Sequence, residues 1–110
     1  MATIKSYTDV SQSKVLAKIL PLESADMYYP CEGVSPKFGV ALSISNNIPC
    51  WSLASLLSVL DFPSLTQNKE YEWEVCVFDH DNDDYIEKTA SNPVDACYNM
   101  ILKLHELKML

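Results

Sequence analysis

Apolar residues recur with helical spacing soon after the start of the chain. Asp9 can cap a helix, and Gln12 stands three residues later, as a capping box requires. Pro21 cannot continue a helix, so the pattern predicts a helix over residues 9–20. Its apolar residues fall on one stripe: Val15, Leu16, Ile19 and Leu20. We therefore expect a helix that covers a core with one face only.

Two further segments have the same helical period. Residues 50–60 follow Pro49, and we expect Pro49 just before the helix or in its first turn, where its missing N–H does no harm. Asn92 and Pro93 are suited to the cap and first position of a last helix, which we expect over residues 93–107. The apolar face of this last helix consists of Val94, Cys97, Met100, Ile101, Leu104 and Leu107.

Alternating patterns predict strands elsewhere. Residues 70–78 have the cleanest period of two, and residues 85–89 suit a return strand. Residues 38–44 alternate less strictly, and residues 26–29 could form a short strand. In segment 70–78 the alternation separates Tyr71, Trp73, Val75 and Val77 from Glu70, Glu72 and Glu74. This strand should have one buried and one wet face.

These elements predict a single α+β domain over residues 1–110, in the order α-β-β-α-β-β-α. An antiparallel sheet of three to four strands would be packed by about three helices, mainly on one face. Parallel pairing of segments 70–78 and 85–89 is disfavoured because the connection between them is as short as a hairpin. A chain of 110 residues is long enough to bury one core.

The charge of the chain limits the kinds of partner that it can bind. With 15 acidic residues, eight lysines and no arginine, the formal net charge is −7. Recognition of phosphate depends on arginine forks and on clustered positive charge. We therefore expect no direct binding of nucleic acid and no binding to a membrane surface.

The cysteines and the apolar runs point to a compartment. The four cysteines stand about twenty residues apart and include no C-x-x-C pair: Cys31, Cys50, Cys76 and Cys97. We expect reduced, mostly buried thiols without disulfides, as is usual in the cytoplasm. No apolar run at the start resembles a signal sequence, and none elsewhere could span a membrane. The predicted location is cytoplasmic.

The stretch DHDNDDYIE partly matches a calcium loop. Asp79, Asp81 and Asp83 occupy positions 1, 3 and 5, but Asp84 stands where glycine is needed and Ala90 where the bidentate glutamate is needed. Asp and Asn are equally the residues of a hairpin loop. We expect a solvated turn and no cofactor, and the three matching aspartates stay as candidates for a loosely held divalent cation.

Catalysis by a cysteine nucleophile would need an imidazole beside the thiol. His80 lies in the predicted acidic loop, and His105 falls off the apolar stripe of the last helix. We therefore expect a protein that is not an enzyme, and a small enzyme that uses the three aspartates is the remaining alternative.

Residues 70–87 hold eight acidic side chains and no lysine, so they should carry a concentrated negative potential. Charge of this kind can simply protect sheet edges. The alternative is a surface that binds a basic protein partner, or an acidic inhibitor that imitates nucleic acid, and self-association into a homodimer is also open. The candidate partner-binding residues are Glu70, Glu72, Glu74, Asp81, Asp83, Asp84 and Trp51.

Four segments together resemble a known group of proteins: residues 11–29, residues 48–57, residues 92–97 and residues 100–104. They are similar to a family of short uncharacterised proteins from gut Bacteroidales and from their prophages and phages. The resemblance implies a small cytoplasmic accessory protein that a mobile element encodes. It assigns no role to any residue.

Overall fold

The computed structural model describes residues 5–39 and 47–110. The helices in this part of the chain are α1 (Val10–Leu16), α2 (Leu53–Val59) and α3 (Pro93–Glu106), with a 3₁₀ turn at Leu22–Ser24. The strands are β1 (Met27–Tyr29), β2 (Lys37–Phe38), β3 (Ile48–Cys50), β4 (Ser64–Gln67), β5 (Trp73–Asp79) and β6 (Asp84–Ala90). The predicted α+β class is confirmed.

The six strands of the described residues form two antiparallel sheets, in the orders β2-β1-β3 and β4-β5-β6. The sequence suggested one sheet of three to four strands. The strands divide because β1 pairs with β2 on one side and β3 on the other, while β5 pairs with β6 on one side and β4 on the other. Strand β4 was not foreseen, since Ser64–Gln67 contains only one apolar residue, Leu65.

Helix α1 begins as predicted. The Asp9 side chain accepts a hydrogen bond from the Gln12 N–H, and the Gln12 side chain accepts one from the Asp9 N–H, which completes the capping box. The helix ends at Leu16, before the predicted boundary, because the next turn tightens into bonds between residues three apart. Leu16 and Leu20 are buried, but Val15 is exposed, so the predicted stripe is narrower.

The prediction of a helix over residues 50–60, with Pro49 just before it or in its first turn, is wrong at the start of the helix. Pro49 lies in β3 opposite Tyr28 of β1, and helix α2 begins only after Ser52. Proline is tolerated because β3 is an edge strand, where a missing N–H need not break the sheet. The Ser52 side chain caps α2, while Asp26 accepts hydrogen bonds from the Ser52 N–H (2.9 Å) and hydroxyl (2.5 Å).

Of the strand predicted at residues 38–44, the structure places Phe38 in β2 and Gly39 in a bend. Residues 40–44 lie outside the described residues. The short strand predicted at residues 26–29 is confirmed as β1.

Strands β5 and β6 form the predicted hairpin, with Val77 opposite Ile86. Val75 and Val77 are buried as predicted, and Trp73 is partly buried against the core. The prediction for Tyr71 is wrong: it precedes β5, has a φ of 62°, and is 81% exposed.

Helix α3 packs on the inner side of the β4-β5-β6 sheet. Asn92 caps it and Pro93 opens it, as predicted. Five of the six predicted apolar positions are buried: Val94, Cys97, Met100, Ile101 and Leu104. Leu107 is the exception, because the helix ends at Glu106 and this side chain is 43% exposed.

A polar clamp joins the N-terminal ends of α1 and α3. The Asp95 carboxylate accepts hydrogen bonds from Lys5 (2.9 Å), Gln12 (2.8 Å) and Asn92 (2.8 Å). Burial alone would raise the pKa of Asp95, but these donors hold it below its usual value. The clamp fixes the start of the described chain against the last helix.

None of the helices within residues 5–39 and 47–110 combines the length and the apolar character needed to cross a bilayer.

Candidate functional site

Among residues 5–39 and 47–110, the β4-β5-β6 sheet has one covered face and one open face. Helix α3 lies on the covered face, which includes Val75, Val77 and Asp79 of β5. The side chains of the open face, called here the outer face, are Ser64, Thr66, Glu74, Cys76, Phe78, Tyr85, Glu87 and Thr89. The register places Tyr85 opposite Phe78 and Glu87 opposite Cys76. Strand alternation therefore gathers aromatic and acidic groups on one solvent-facing surface.

An aromatic group lies at one end of the outer face. The Phe78 ring meets the Tyr85 ring at 5.0 Å between centroids and the His80 ring at 4.9 Å, both edge to face. Tyr85 is 63% exposed. Its ring packs on one side against Phe78 and offers the rest of its surface to solvent.

Two carboxylates lie in the middle of the outer face. Glu74 and Glu87 are diagonal neighbours across the β5–β6 pair, since Glu87 stands opposite Cys76. A hydrogen bond with Glu87 and repulsion from its charge raise the pKa of Glu74. The pKa of the Cys76 thiol is raised too, first by burial and then by these two carboxylates. A positive group at this position would relieve the repulsion.

The acidic stretch forms the turn between β5 and β6, and Asp79 organises it. Its Oδ1 accepts from the N–H groups of Asp81 (3.0 Å) and Asn82 (3.4 Å), and its Oδ2 accepts from the Asn82 side-chain amide (2.7 Å). These bonds, led by the one from the Asn82 side chain, lower the pKa of Asp79. Asp83 takes a φ of 52°, which Asp tolerates better than most residues.

The three aspartates that matched a calcium loop do not converge on a common point. Asp79 is 5% exposed and is committed to the turn, whereas Asp81 and Asp83 are exposed. Among residues 5–39 and 47–110, no group of three or more His, Cys, Asp and Glu side chains is arranged to hold a metal ion. The geometry is that of a self-bonded hairpin turn.

The other end of the outer face carries a second turn, between β4 and β5. Asn68 organises this turn by accepting hydrogen bonds from the N–H groups of Glu70 (2.9 Å) and Glu72 (3.0 Å). Tyr71 lies between them at a φ of 62°. Glu70 and Tyr71 are exposed and Glu72 is partly exposed, so this turn presents an aromatic ring together with acidic groups.

The structure separates the predicted acidic patch into two ends. Glu70 and Glu72 precede β5, while Asp81, Asp83 and Asp84 follow it. Strand β5 has seven residues, which corresponds to about 23 Å at 3.3 Å per residue. Glu74 and Glu87 lie between the ends. The acidic surface is therefore an elongated stripe and not a compact cluster.

The prediction that Trp51 contributes to a partner surface is wrong. Trp51 is completely buried in the main core. Its Nε1 donates to the Ser24 hydroxyl at 2.9 Å, and its backbone N–H donates to the Thr8 hydroxyl at 3.1 Å. The ring packs inward because Trp51 precedes the α2 cap and follows the buried strand residue Cys50.

The two histidines lie apart from the buried thiols. His80 packs on Phe78, and His105 Nδ1 lies 3.1 Å from the Leu110 carbonyl oxygen. All four cysteines carry free thiols, and two of them, Cys50 and Cys97, are fully buried. Burial raises the pKa of Cys97 to about 11. A thiol with a raised pKa is a weaker nucleophile at neutral pH.

Sequence reasoning missed the aromatic part of the outer face. Phe78 has the same parity along β5 as Glu74 and Cys76, so alternation alone could have placed it outward. Tyr85 follows from Phe78 once the hairpin register is known. No sequence signal predicted the exposure of Tyr71, because that exposure depends on where β5 begins.

Comparisons with known proteins found no matching family model, no matching curated protein and no matching solved structure. The resemblance to proteins of Bacteroidales and their phages therefore stays a prediction. The site has to be interpreted from its own chemistry.

Proposed function

We propose that this chain is a non-catalytic protein-binding module that captures a basic partner on the outer face of the β4-β5-β6 sheet. The observation that carries this proposal is the pair of rings formed by the partly exposed Phe78 and the exposed Tyr85 on the outer face, which acidic turns bound. Contiguous exposed apolar patches on soluble proteins often mark binding sites. The acidic flanks indicate which kind of partner would cover them.

The chemistry of this surface suits lysine and arginine. A tyrosine ring attracts a cation over its face, and arginine also stacks on it. Glu74 and Glu87 repel each other on the same face, and this repulsion is what a cationic side chain would remove. Binding should therefore lower the pKa of Glu74 and release protons when the pH lies near that pKa.

A role without catalysis is supported by the surroundings of the nucleophiles. His80 packs on Phe78, and neither the cavity beside Glu87 nor the one beside Leu20 has Cys or His in its lining. We further propose that the protein acts in the cytoplasm as an accessory protein, which free thiols and the resemblance to phage-encoded proteins support.

The test is an affinity capture from the native cell with outer-face variants as baits. Tyr85→Ser removes the exposed ring, and Glu87→Lys reverses a central charge. Glu32→Lys is the matched control, because Glu32 is also exposed but lies in the loop between β1 and β2, which belong to the other sheet. A partner captured by the wild type should be lost or weakened at least tenfold with both outer-face variants and retained by the control. A partner that all four baits retain would contradict the proposal.

Salt dependence separates a basic partner from other ones. Exposed charges are screened beyond about 10 Å at 0.1 M salt and beyond about 3 Å at 1 M salt. Binding by the outer face should weaken strongly between these conditions. Binding that survives 1 M salt unchanged would argue against charge recognition, and with it against the inhibitor that imitates nucleic acid.

A further inference from the structure

A second surface, formed by elements other than the β4-β5-β6 sheet, borders an open cavity of about 610 Å³. Its apolar walls come from the end of the α1 region, from α2 and from the last described residue: Ile19, Leu20, Pro21, Val59 and Leu110. Leu20 is 6% exposed and belongs to the main core, so the floor is fixed. The volume lies within the range of about 300–1,000 Å³ that small-molecule sites occupy.

The chain after α3 turns back to complete one wall. Lys108 takes a φ of 61°, and its N–H donates to the His105 carbonyl at 3.0 Å, while the Met109 N–H donates to the Leu104 carbonyl at 2.8 Å. This left-handed turn closes the helix end and brings Leu110 to the cavity that α2 also lines. The wall is thus held by backbone hydrogen bonds.

The polar side chains that line the cavity are biased towards hydrogen-bond acceptors. Three serines line it, and each hydroxyl donates to a backbone carbonyl: Ser24 to Pro21 (2.6 Å), Ser55 to Ser52 (2.9 Å) and Ser58 to Ala54 (3.0 Å). A hydroxyl whose proton is donated in this way can only accept. The Ser24 oxygen already accepts from Trp51 Nε1 at 2.9 Å, which leaves it one further acceptor position. The remaining polar residue of the lining is Glu23, whose exposed carboxylate also only accepts.

A complementary ligand must therefore bring an apolar body and a head group that donates. A protonated amine has three donors and no acceptor, and its charge complements Glu23. A carboxylate would face acceptors and a like charge. We propose that this cavity binds a small amphipathic amine, with its chain or ring among Leu20, Val59 and Leu110 and its ammonium group among the serine oxygens and Glu23.

The first experiment compares three probes of equal length by NMR titration of the protein: hexylamine, hexanol and hexanoate. The expected order of affinity is amine, then alcohol, then carboxylate, with amine and alcohol separated by roughly two- to five-fold, as for an exposed ion pair. Resonances of Val59 and Ser58 should shift. Binding of hexanoate as tight as that of hexylamine, or no shift at these residues with any probe, would overturn the proposal.

A chain-length series tests the apolar part. Each methylene buried should tighten the dissociation constant by about three- to four-fold from butylamine to hexylamine. Methylamine controls for general attraction of cations to this acidic protein, whose net charge is −7. If methylamine shifts the cavity resonances at the same concentrations as hexylamine, charge alone explains the effect and the proposal fails.

Two variants test the head-group assignment. Glu23→Gln should weaken hexylamine by roughly two- to five-fold and leave hexanol unchanged. Ser58→Lys places a cation at the rim of the exposed side of α2, so it should weaken hexylamine by more than tenfold and let hexanoate bind. Glu70→Gln is the matched control, since Glu70 is exposed in the distant β4–β5 turn. Unchanged amine binding in Ser58→Lys, with the fold intact by NMR, would contradict the assignment.

This inference stands apart from the proposed protein-binding function. Glu87→Lys on the outer face should leave hexylamine binding unchanged, and Ser58→Lys should leave partner capture unchanged. If Glu87→Lys abolished hexylamine binding, the amine would belong to the outer face and not to the cavity.

Discussion

The two turns that bound the outer face have the same arrangement of hydrogen bonds but differ in backbone strain. In each, one side chain accepts two backbone N–H groups: Asn68 in the β4–β5 turn and Asp79 in the β5–β6 turn. Each also contains a residue other than glycine with a positive φ, Tyr71 at 62° and Asp83 at 52°. Asp is suited to this conformation, whereas a bulky aromatic residue is not.

The β5–β6 turn is explained by its own hydrogen bonds, whereas the β4–β5 turn retains backbone strain. The β5–β6 turn uses the carboxylate of the buried Asp79 for its own hydrogen bonds. The β4–β5 turn holds Tyr71 in an unfavourable conformation and leaves its ring 81% exposed, so burial does not compensate for the strain. Tyr71 is therefore a residue whose presence folding alone does not explain, and the proposed binding surface gives it a use.

The largest effect is expected from Asp79→Ala, which removes three hydrogen bonds from the β5–β6 turn. The melting temperature should fall by roughly 10 °C, because the amides of Asp81 and Asn82 lose their acceptor. Thermal unfolding followed by circular dichroism checks this. Asp81→Ala is the control, since its exposed side chain should change the melting temperature little. Equal effects of the two substitutions would show that Asp79 does not organise the turn.

The contribution of Asp79 should also depend on pH. The pKa of Asp79 in the folded protein lies below the ordinary value of 3.8. Its charge therefore stabilises the folded protein fully above pH 3.8, and this stabilisation is lost as the pH falls through the lower pKa of the folded state. The difference in melting temperature between wild type and Asp79→Asn should therefore shrink below about pH 4. A difference that grows on acidification would contradict the lowered pKa.

A smaller loss is expected from Asn68→Ala in the other turn. Two backbone N–H groups lose their acceptor, but both are near solvent and can bind water, so the cost should be about 1–2 kcal/mol in free energy of unfolding. Urea denaturation measures it. Lys69→Ala in the same turn is the control and should stay within about 0.5 kcal/mol of the wild type. A loss at Asn68 as large as that at Asp79 would remove the contrast between the turns.

The sequence predicts some of these elements and not others. Strands β5 and β6 were predictable because a strict period of two and a short Asp-rich connection both require a hairpin. The residue at which β5 begins was not predictable. Alternation in the sequence extends back to Tyr71, and only the hydrogen bonds accepted by Asn68 place Tyr71 in the preceding turn. Trp51 and Pro49 were misplaced for a similar reason, since pairing of β3 with β1 overrode a local helix signal. Among the candidate site residues, exposed acids were easy to name, whereas the outward direction of Phe78 and Tyr85 required the register.

Relief of strain distinguishes the turns most directly. Tyr71→Gly should stabilise the protein by about 0.5–1 kcal/mol, because glycine adopts a positive φ without the steric cost, although it gains entropy in the unfolded chain. Asp83→Gly should change stability by less than about 0.5 kcal/mol. Urea denaturation of both variants tests the difference. Tyr71→Gly should also weaken partner capture, and a variant that is both more stable and fully competent in binding would leave Tyr71 without a function.

The smallest effect is expected between the two turns, where Glu74 and Glu87 lie side by side. The pKa of Glu74 is raised in the folded protein, so its ionisation opposes folding: stability is fully present below the ordinary pKa of 4.5 and is partly lost as the pH rises through the folded pKa. Glu74→Gln should therefore raise the melting temperature at pH 7 by on the order of 1–2 °C and have no such effect near pH 3. This pH dependence is opposite in sign to that of Asp79, which lies on the same strand but faces the other way. Thr89→Gln, directly opposite Glu74 on β6, controls for the change in side-chain packing. If Glu74→Gln lowered the melting temperature at pH 7, the two carboxylates would be stabilising each other, and the case for a cation that relieves them would fail.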